Sequence, residues 1–149
     1  LDYTILRFGS LYGPRSTESN GLNRLIKEAL KTKKIRYKGS IETMREYIHV
    51  IDMANACVRV LEENFKNQRL VITGQDVIKV NDMLHMIAEI LGLEEDSVEF
   101  IEGEYPGHYI RTPYAYIPEI GKKYTPELYV DFGQGLLELI KEISQKLNS

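Results

Sequence analysis

Apolar residues along the chain change their spacing from one stretch to the next, and each spacing predicts an element. Residues 3–8 are β-branched and aromatic and stop at Gly9, which predicts a buried strand. Residues 9–19 read as a loop with Gly13-Pro14 as its turn. Asn20 is a good N-cap, and after it Leu22, Leu25, Ile26, Ala29 and Leu30 recur at helical spacing. Short strands are expected at residues 35–38 and 46–51. Asp52 is then the expected cap of a helix carrying Ala54, Ala56, Cys57, Val58 and Leu61. Residues 70–73 read as a buried strand. Asn81 reads as the cap of a helix with Leu84, Ile87, Ala88 and Leu91, stopped by Gly92. A strand at residues 98–101 precedes a long Tyr/Pro/Gly-rich segment, 102–126, and loops of that length in a compact domain are usually functional. A last helix is expected over residues 132–147, with Leu136, Leu137, Ile140, Ile143 and Leu147 as its buried stripe. Strands alternating with helices predict an α/β fold.

Composition narrows the classes. A chain of 149 residues is one domain or a piece of a larger one. Its net charge of −3 argues against a general nucleic-acid binder. No apolar run is long enough for a membrane span, and no signal-peptide pattern is present. Cys57 is the only cysteine, so no internal disulfide forms, which fits a reducing, cytoplasmic setting. His49, His85 and His108 lack metal-ligand spacing. Ten tyrosines against four phenylalanines suit a pocket for a partly polar ligand. The first residue is Leu1 and a strand begins at once, so the chain is expected to be the carboxyl-terminal part of something longer.

Several features have plain structural readings. Lys31, Lys33 and Lys34 complement the dipole at a helix end, with a phosphate patch as the alternative. Cys57 lies on an apolar helix face and reads as a buried structural thiol. The run Gly133-Gln134-Gly135 lacks the third glycine of a dinucleotide fingerprint and no βαβ unit follows it. Asp131 capping the helix, with Gln134 reaching back, explains it better. No tyrosine is followed by a lysine four residues later, and no Walker loop or GxSxG elbow occurs.

Two segments stand apart: Leu6-Arg7-Phe8-Gly9-Ser10-Leu11-Tyr12-Gly13-Pro14, and Arg45-Glu46-Tyr47-Ile48-His49-Val50-Ile51-Asp52. Together they resemble the carboxyl-terminal half of the extended short-chain dehydrogenase/reductases, the NAD-dependent nucleotide-sugar epimerases and dehydratases. That family carries LRxxNxYGP after a sheet strand, then R-D/E-F/Y-I-H-V-x-D. The resemblance runs from Leu1 to the last helix. It implies the substrate-binding domain of an extended Rossmann-type oxidoreductase plus one strand of the Rossmann sheet. Residues 1–19 would be that strand and its loop, and residues 20–149 a small α/β substrate-binding domain.

The resemblance also implies roles. Arg45 would bind the diphosphate, since a guanidinium forks onto two phosphate oxygens; a surface or capping salt bridge is the alternative. Ser10 stands where the family has a sugar-contacting asparagine. Gly9 lies where the backbone meets the nicotinamide end of the cofactor. Asn20, at a helix start, would meet the diphosphate or simply cap. Ile35 and Tyr37 fall on the strand that receives the base and point the same way, so Tyr37 would stack on it. Pro106-Gly107-His108 matches a family turn in which Tyr105 replaces the usual arginine; Arg111 would supply the charge, and His108 and Tyr109 would face the sugar. His49 reads as a hydrogen-bonded structural histidine. The segments Thr112-Pro113-Tyr114 and Gly121-Lys122-Lys123 depart from the common epimerase pattern.

The family's dinucleotide fingerprint and Tyr-x-x-x-Lys pair would lie upstream. The implied function is therefore the substrate-binding fragment of an NAD-dependent nucleotide-sugar epimerase or dehydratase, inactive alone. NAD or NADP would be held mainly by residues absent here, and the parent would dimerise through missing helices. The residues 3–8 strand would lack its Rossmann-sheet partners, and would pair with another copy, lie against its own domain or leave an aggregation-prone edge. Two alternatives remain: a non-catalytic nucleotide- or partner-binding relative, and an oxidoreductase of an unrelated substrate, against which Arg45 argues.

Overall fold

The computed structural model of the chain describes residues 1–103, 121–127 and 129–148. Strand β1 (Ile5–Phe8) passes through the single residue Gly9 into β2 (Ser10–Tyr12), which belongs to a different sheet. Helix α1 (Gly21–Thr32) follows, then β3 (Ile35–Lys38), β4 (Met44–His49) and α2 (Val50–Arg59). The rest comprises β5 (Arg69–Ile72), β6 (Val77–Lys79), α3 (Val80–Ile90), β7 (Val98–Ile101), β8 (Lys122–Tyr124) and α4 (Phe132–Leu147).

Among the described residues the strands form three small sheets. The first has the order β1-β5-β8, all parallel, with Ile5 opposite Arg69 and Leu70 opposite Lys122. In the second, β4 pairs in parallel with β2 and antiparallel with β6. The third is the parallel pair β3-β7. The expected α/β class with parallel strands is what the chain adopts.

Several expectations need correction. Strand β1 pairs along its length with β5, so it does not lack partners, although it forms the open edge of its sheet among the described residues. Its residues alternate exposed and half-buried, so it is not covered on both faces. The strand assigned to residues 1–19 thus shares a sheet with β5 and β8 from much later in the chain. Strand β2 lies inside the expected 9–19 loop, and β6 and β8 were not anticipated; three residues are too few to show a period. Helix α2 is capped by His49, not Asp52: the His49 Nδ1 accepts from the Ile51 N–H at 3.4 Å. Helix α3 begins at Val80, ahead of the expected Asn81 cap. The stripe of α4 is Leu136, Leu139, Ile140 and Ile143, while Leu137 is exposed.

Other expectations hold in detail. The Asn20 side chain caps α1, accepting from the Asn23 N–H at 3.1 Å. Lys33 adopts a left-handed conformation, φ 59°, and its N–H closes the helix on the Ala29 carbonyl. Lys34 pairs with Glu99 at 2.9 Å, so the lysine cluster ends the helix and ties it to β7. Cys57 is half-buried, its Sγ 3.7 Å from the Met53 sulfur. Asp131 caps α4 through the Gln134 N–H at 3.0 Å.

Two apolar clusters hold these elements. The larger gathers Ile26, Ile35, Met83, Leu84, Ile87, Leu136 and Leu139 between α1, α3, α4 and β3. The smaller packs Ala56 and Val60 of α2 on Ile48, Leu70 and Ile72.

Candidate functional site

Strand β4 lies where the first two sheets meet. The β1 and β5 strands of the first sheet end against its backbone at glycines. A side chain on Gly9 would place Cβ 2.7 Å from the Glu46 carbonyl oxygen, and one on Gly74 only 1.9 Å from that of Tyr47. Only glycine permits so close a backbone approach.

Alternation along β4 then sorts its side chains. Arg45, Tyr47 and His49 share one face, and Glu46 and Ile48 the other. In the parallel ladder Ser10 lies opposite Tyr47 and Tyr12 opposite His49, so Ser10 and Tyr12 join the Arg45 face. Ser10 and Arg45, assigned by the sequence to sugar and diphosphate, thus emerge on the same face of adjacent strands. The Arg45 Nη1 donates to the Met44 carbonyl at 2.9 Å, one of several interactions that orient its guanidinium.

Beyond Arg45 the same face is aromatic. Tyr12 packs edge-on against Tyr47 and His49, with centroids 5.9 and 5.2 Å away, and tilted against Phe132 at 5.0 Å. Burial pushes the Tyr12 and Tyr47 hydroxyls well above the usual phenol range, with Asp52 adding to the shift at Tyr12. Both phenols stay neutral in this setting. Burial also lowers the His49 pKa from its usual 6.5, opposed by Asp52 and Glu138. His49 is thus a neutral structural group, as expected, although its buried Nε2 has no hydrogen-bond partner among the described residues. Asp52 is buried and its Oδ2 accepts from the Val130 N–H at 2.9 Å, tying α2 to the approach to α4.

This cluster also accounts for the glycine pair at the start of α4. A Cβ on Gly135 would lie 2.7 Å from the Tyr12 hydroxyl and 3.0 Å from His49 Cδ2. Gly135 lets the helix close on the aromatic cluster, and the Asp131 carboxylate stands where a phosphate would bind. A small cavity of about 20 Å³ beside the cluster is lined by Asp52, Gln75, Asp76 and Tyr129. Its carboxylates disfavour a polyanion there.

The remaining site residues are placed as follows. Asn20 uses both ends of its amide, capping α1 and donating from Nδ2 to the Leu11 carbonyl at 2.8 Å, which anchors the helix to β2. Ile35 is fully buried and Tyr37 is 8% exposed, both in the larger cluster. Tyr37 lies edge-on to Phe100 at 5.8 Å. As expected, alternation points Ile35 and Tyr37 the same way, and that way is into the larger cluster. His108, Tyr109 and Arg111 lie outside the described residues.

The space a Cβ would fill at Gly9 is taken by β4 and by Thr73, and Gly135 packs on Tyr12.

Residues 1–73 match the model of the NAD dependent epimerase/dehydratase family. No curated protein matches the sequence. Solved structures do. UDP-glucuronic acid 4-epimerase of Bacillus cereus, in a variant bound to a fluorinated UDP-sugar and NAD, superposes with TM-score 0.78 at 26% identity, covering 96% of this chain and 45% of its own. UDP-glucose 4-epimerase of Thermotoga maritima, with UDP-glucose, gives 0.77 at 24% identity, covering 99% of this chain and 47% of its own. A dTDP-glucose 4,6-dehydratase of Bacillus anthracis, with NAD, gives 0.75 at 21%, covering 97% and 45%. The chain thus has the fold of the extended, Rossmann-type epimerases and dehydratases, the class its two motifs indicate. It spans just under half the length of these neighbours.

Among the described residues no helix is long and apolar enough to cross a membrane, and no cluster of candidate metal ligands occurs.

Proposed function

We propose that the chain forms the nucleotide-sugar side of the cleft of an NAD-dependent epimerase or dehydratase and is inactive without the dinucleotide-binding part. The observation that carries this reading is the shared face of β2 and β4, on which Ser10 lies opposite Tyr47 and Arg45 is the next same-face residue along β4. Arg45 forks onto the diphosphate, a planar bidentate match that a lysine would not provide. The Ser10 hydroxyl donates to or accepts from the sugar. Strand β3 meets the base through its backbone, since Ile35 and Tyr37 turn inward. Arg111 supplies a second cation to the diphosphate, and His108 meets the sugar. The solved neighbours that carry UDP-sugars support the ligand class.

Calorimetric titration with UDP, dTDP, GDP and CDP tests the reading. One diphosphate is expected to bind, and Arg45→Ala to weaken it by about tenfold or more, the usual loss for a charge-assisted bidentate contact. Equal affinity in the variant would remove the diphosphate from Arg45. Epimerase or dehydratase turnover by the 149-residue chain would refute the claim that it is inactive alone.

A further inference from the structure

Arg45 and Glu46 are neighbours in sequence and face opposite ways on β4. Glu46 turns into the junction with the first sheet, where it is 2% exposed. Its Oε1 accepts from the Lys123 ammonium at 3.0 Å, across from β8. Its Oε2 has no hydrogen-bond partner among the described residues. Lys123 therefore supplies the compensating charge for a buried carboxylate.

A strand whose two faces differ is held in register by its hydrophobic pattern. Strand β4 lacks that safeguard. Tyr47 packs against the larger cluster, Ile48 lies in the smaller one and His49 is also buried, so apolar surface is engaged on both faces. Its partners β2 and β6 are three residues long, which makes the ladders short. A slip of one residue would exchange the two faces. Slipped one way, Arg45 would meet the Lys123 ammonium; slipped the other way, Glu46 would take the place of Arg45 on the ligand face. Both encounters are repulsive.

We infer that the Glu46–Lys123 pair is a charge-based register lock on β4, and that Lys123 is a positioning residue that keeps Arg45 on the ligand side. The inference rests on the diphosphate role proposed for Arg45. It also gives a task to the Gly121-Lys122-Lys123 segment, which stands outside the common epimerase pattern.

Hydrogen exchange and UDP titration on the same variants test the lock. In Lys123→Met the Tyr47 and Ile48 amides are expected to exchange about tenfold faster or more, as local opening of β4 becomes easier. UDP affinity is expected to fall by a similar factor. Lys123→Arg, which keeps the charge, is expected to hold both within about twofold. The double variant Glu46→Gln with Lys123→Met removes the stranded buried carboxylate. It should recover the melting temperature while β4 exchange and UDP binding stay perturbed. Wild-type exchange at Tyr47 and Ile48 in Lys123→Met would overturn the lock. So would a double variant that regains UDP binding together with melting temperature, because the pair would then be stabilising only. If the unaltered chain binds no UDP, the proposed function fails, and the exchange rates alone decide the lock.

Discussion

Around α1, α3 and α4 the side chains of Ile26, Met83, Leu84, Ile87, Leu136 and Leu139 are wholly buried, and each helix turns its polar side outward. Around α2 the arrangement is different. Ala56 and Val60 pack on the first sheet, yet Ile51, Val58 and Leu61, spaced for one helix face, are 51%, 70% and 80% exposed. Beside them β1 leaves one edge open among the described residues. The first region closes a core using this chain's own residues. The second covers one side of a sheet and leaves an apolar stripe, at 51, 58 and 61, exposed among the described residues. Stability and ligand recognition are therefore divided: the helical cluster holds the fold, and the strand junction at β4 carries the proposed site.

Core truncation gives the sharpest break in this comparison. Leu84→Ala, in the closed cluster, is expected to cost about 4 kcal/mol, as a buried leucine leaving a cavity does. Leu6→Ala, on the half-buried edge strand, should cost about 1 kcal/mol, because less area leaves water. Urea midpoints measure both, and equal losses would mean that the two clusters contribute alike.

The glycine pair of α4 gives a smaller contrast. Gly135→Ala pushes a methyl into Tyr12 and His49 and is expected to cost about 2 kcal/mol. At Gly133 a Cβ meets only the Asp131 carboxylate, at 3.2 Å. Gly133→Ala should be neutral or gain up to about 1 kcal/mol of helix propensity. A cofactor loop would show the opposite order in ligand binding, with Gly133 intolerant.

The smallest effect is in pH. Burial holds the folded-state pKa of His49 below 6.5, so the unfolded chain binds a proton more readily. Stability is then complete above about 6.5 and declines as pH falls from there toward the folded pKa, levelling off below it. The lowered carboxyls of Glu18, Glu99 and Glu142 act later, below 4.5. The urea midpoint should begin to fall just under pH 6.5, and His49→Asn should remove that first decline while keeping a cap for α2. A midpoint flat from pH 7 to 5 in the unaltered chain would contradict the burial account.

Much of this was legible from residue order. The Asn20 and Asp131 caps, the strand that begins at Val98, and the α4 helix follow from local chemistry that needs no tertiary knowledge. The two motifs pointed to the fold and brought Ser10 and Arg45 forward. What escaped the sequence was set by distant neighbours. Tyr37 reads as a surface ring until Phe100 is found beside it. Asp52 reads as a cap until His49 and the Val130 amide are seen to divide that work. Strands β2, β6 and β8 are too short for a period, and Lys123 acquires meaning only when β8 is laid beside β5, next to Glu46.

The route from β1 through Gly9 into β2 has a kinetic consequence. Ile5 pairs with Arg69, Ile35 with Val98 and Leu70 with Lys122, each a parallel ladder between segments far apart in the chain. No hairpin seeds any of these three, so loop entropy is spent before their contacts form. Chains of such high contact order fold in roughly milliseconds to seconds rather than microseconds. During that interval, the ribosome or a refolding buffer would present β1 as an unpaired edge, waiting for a partner strand synthesised much later.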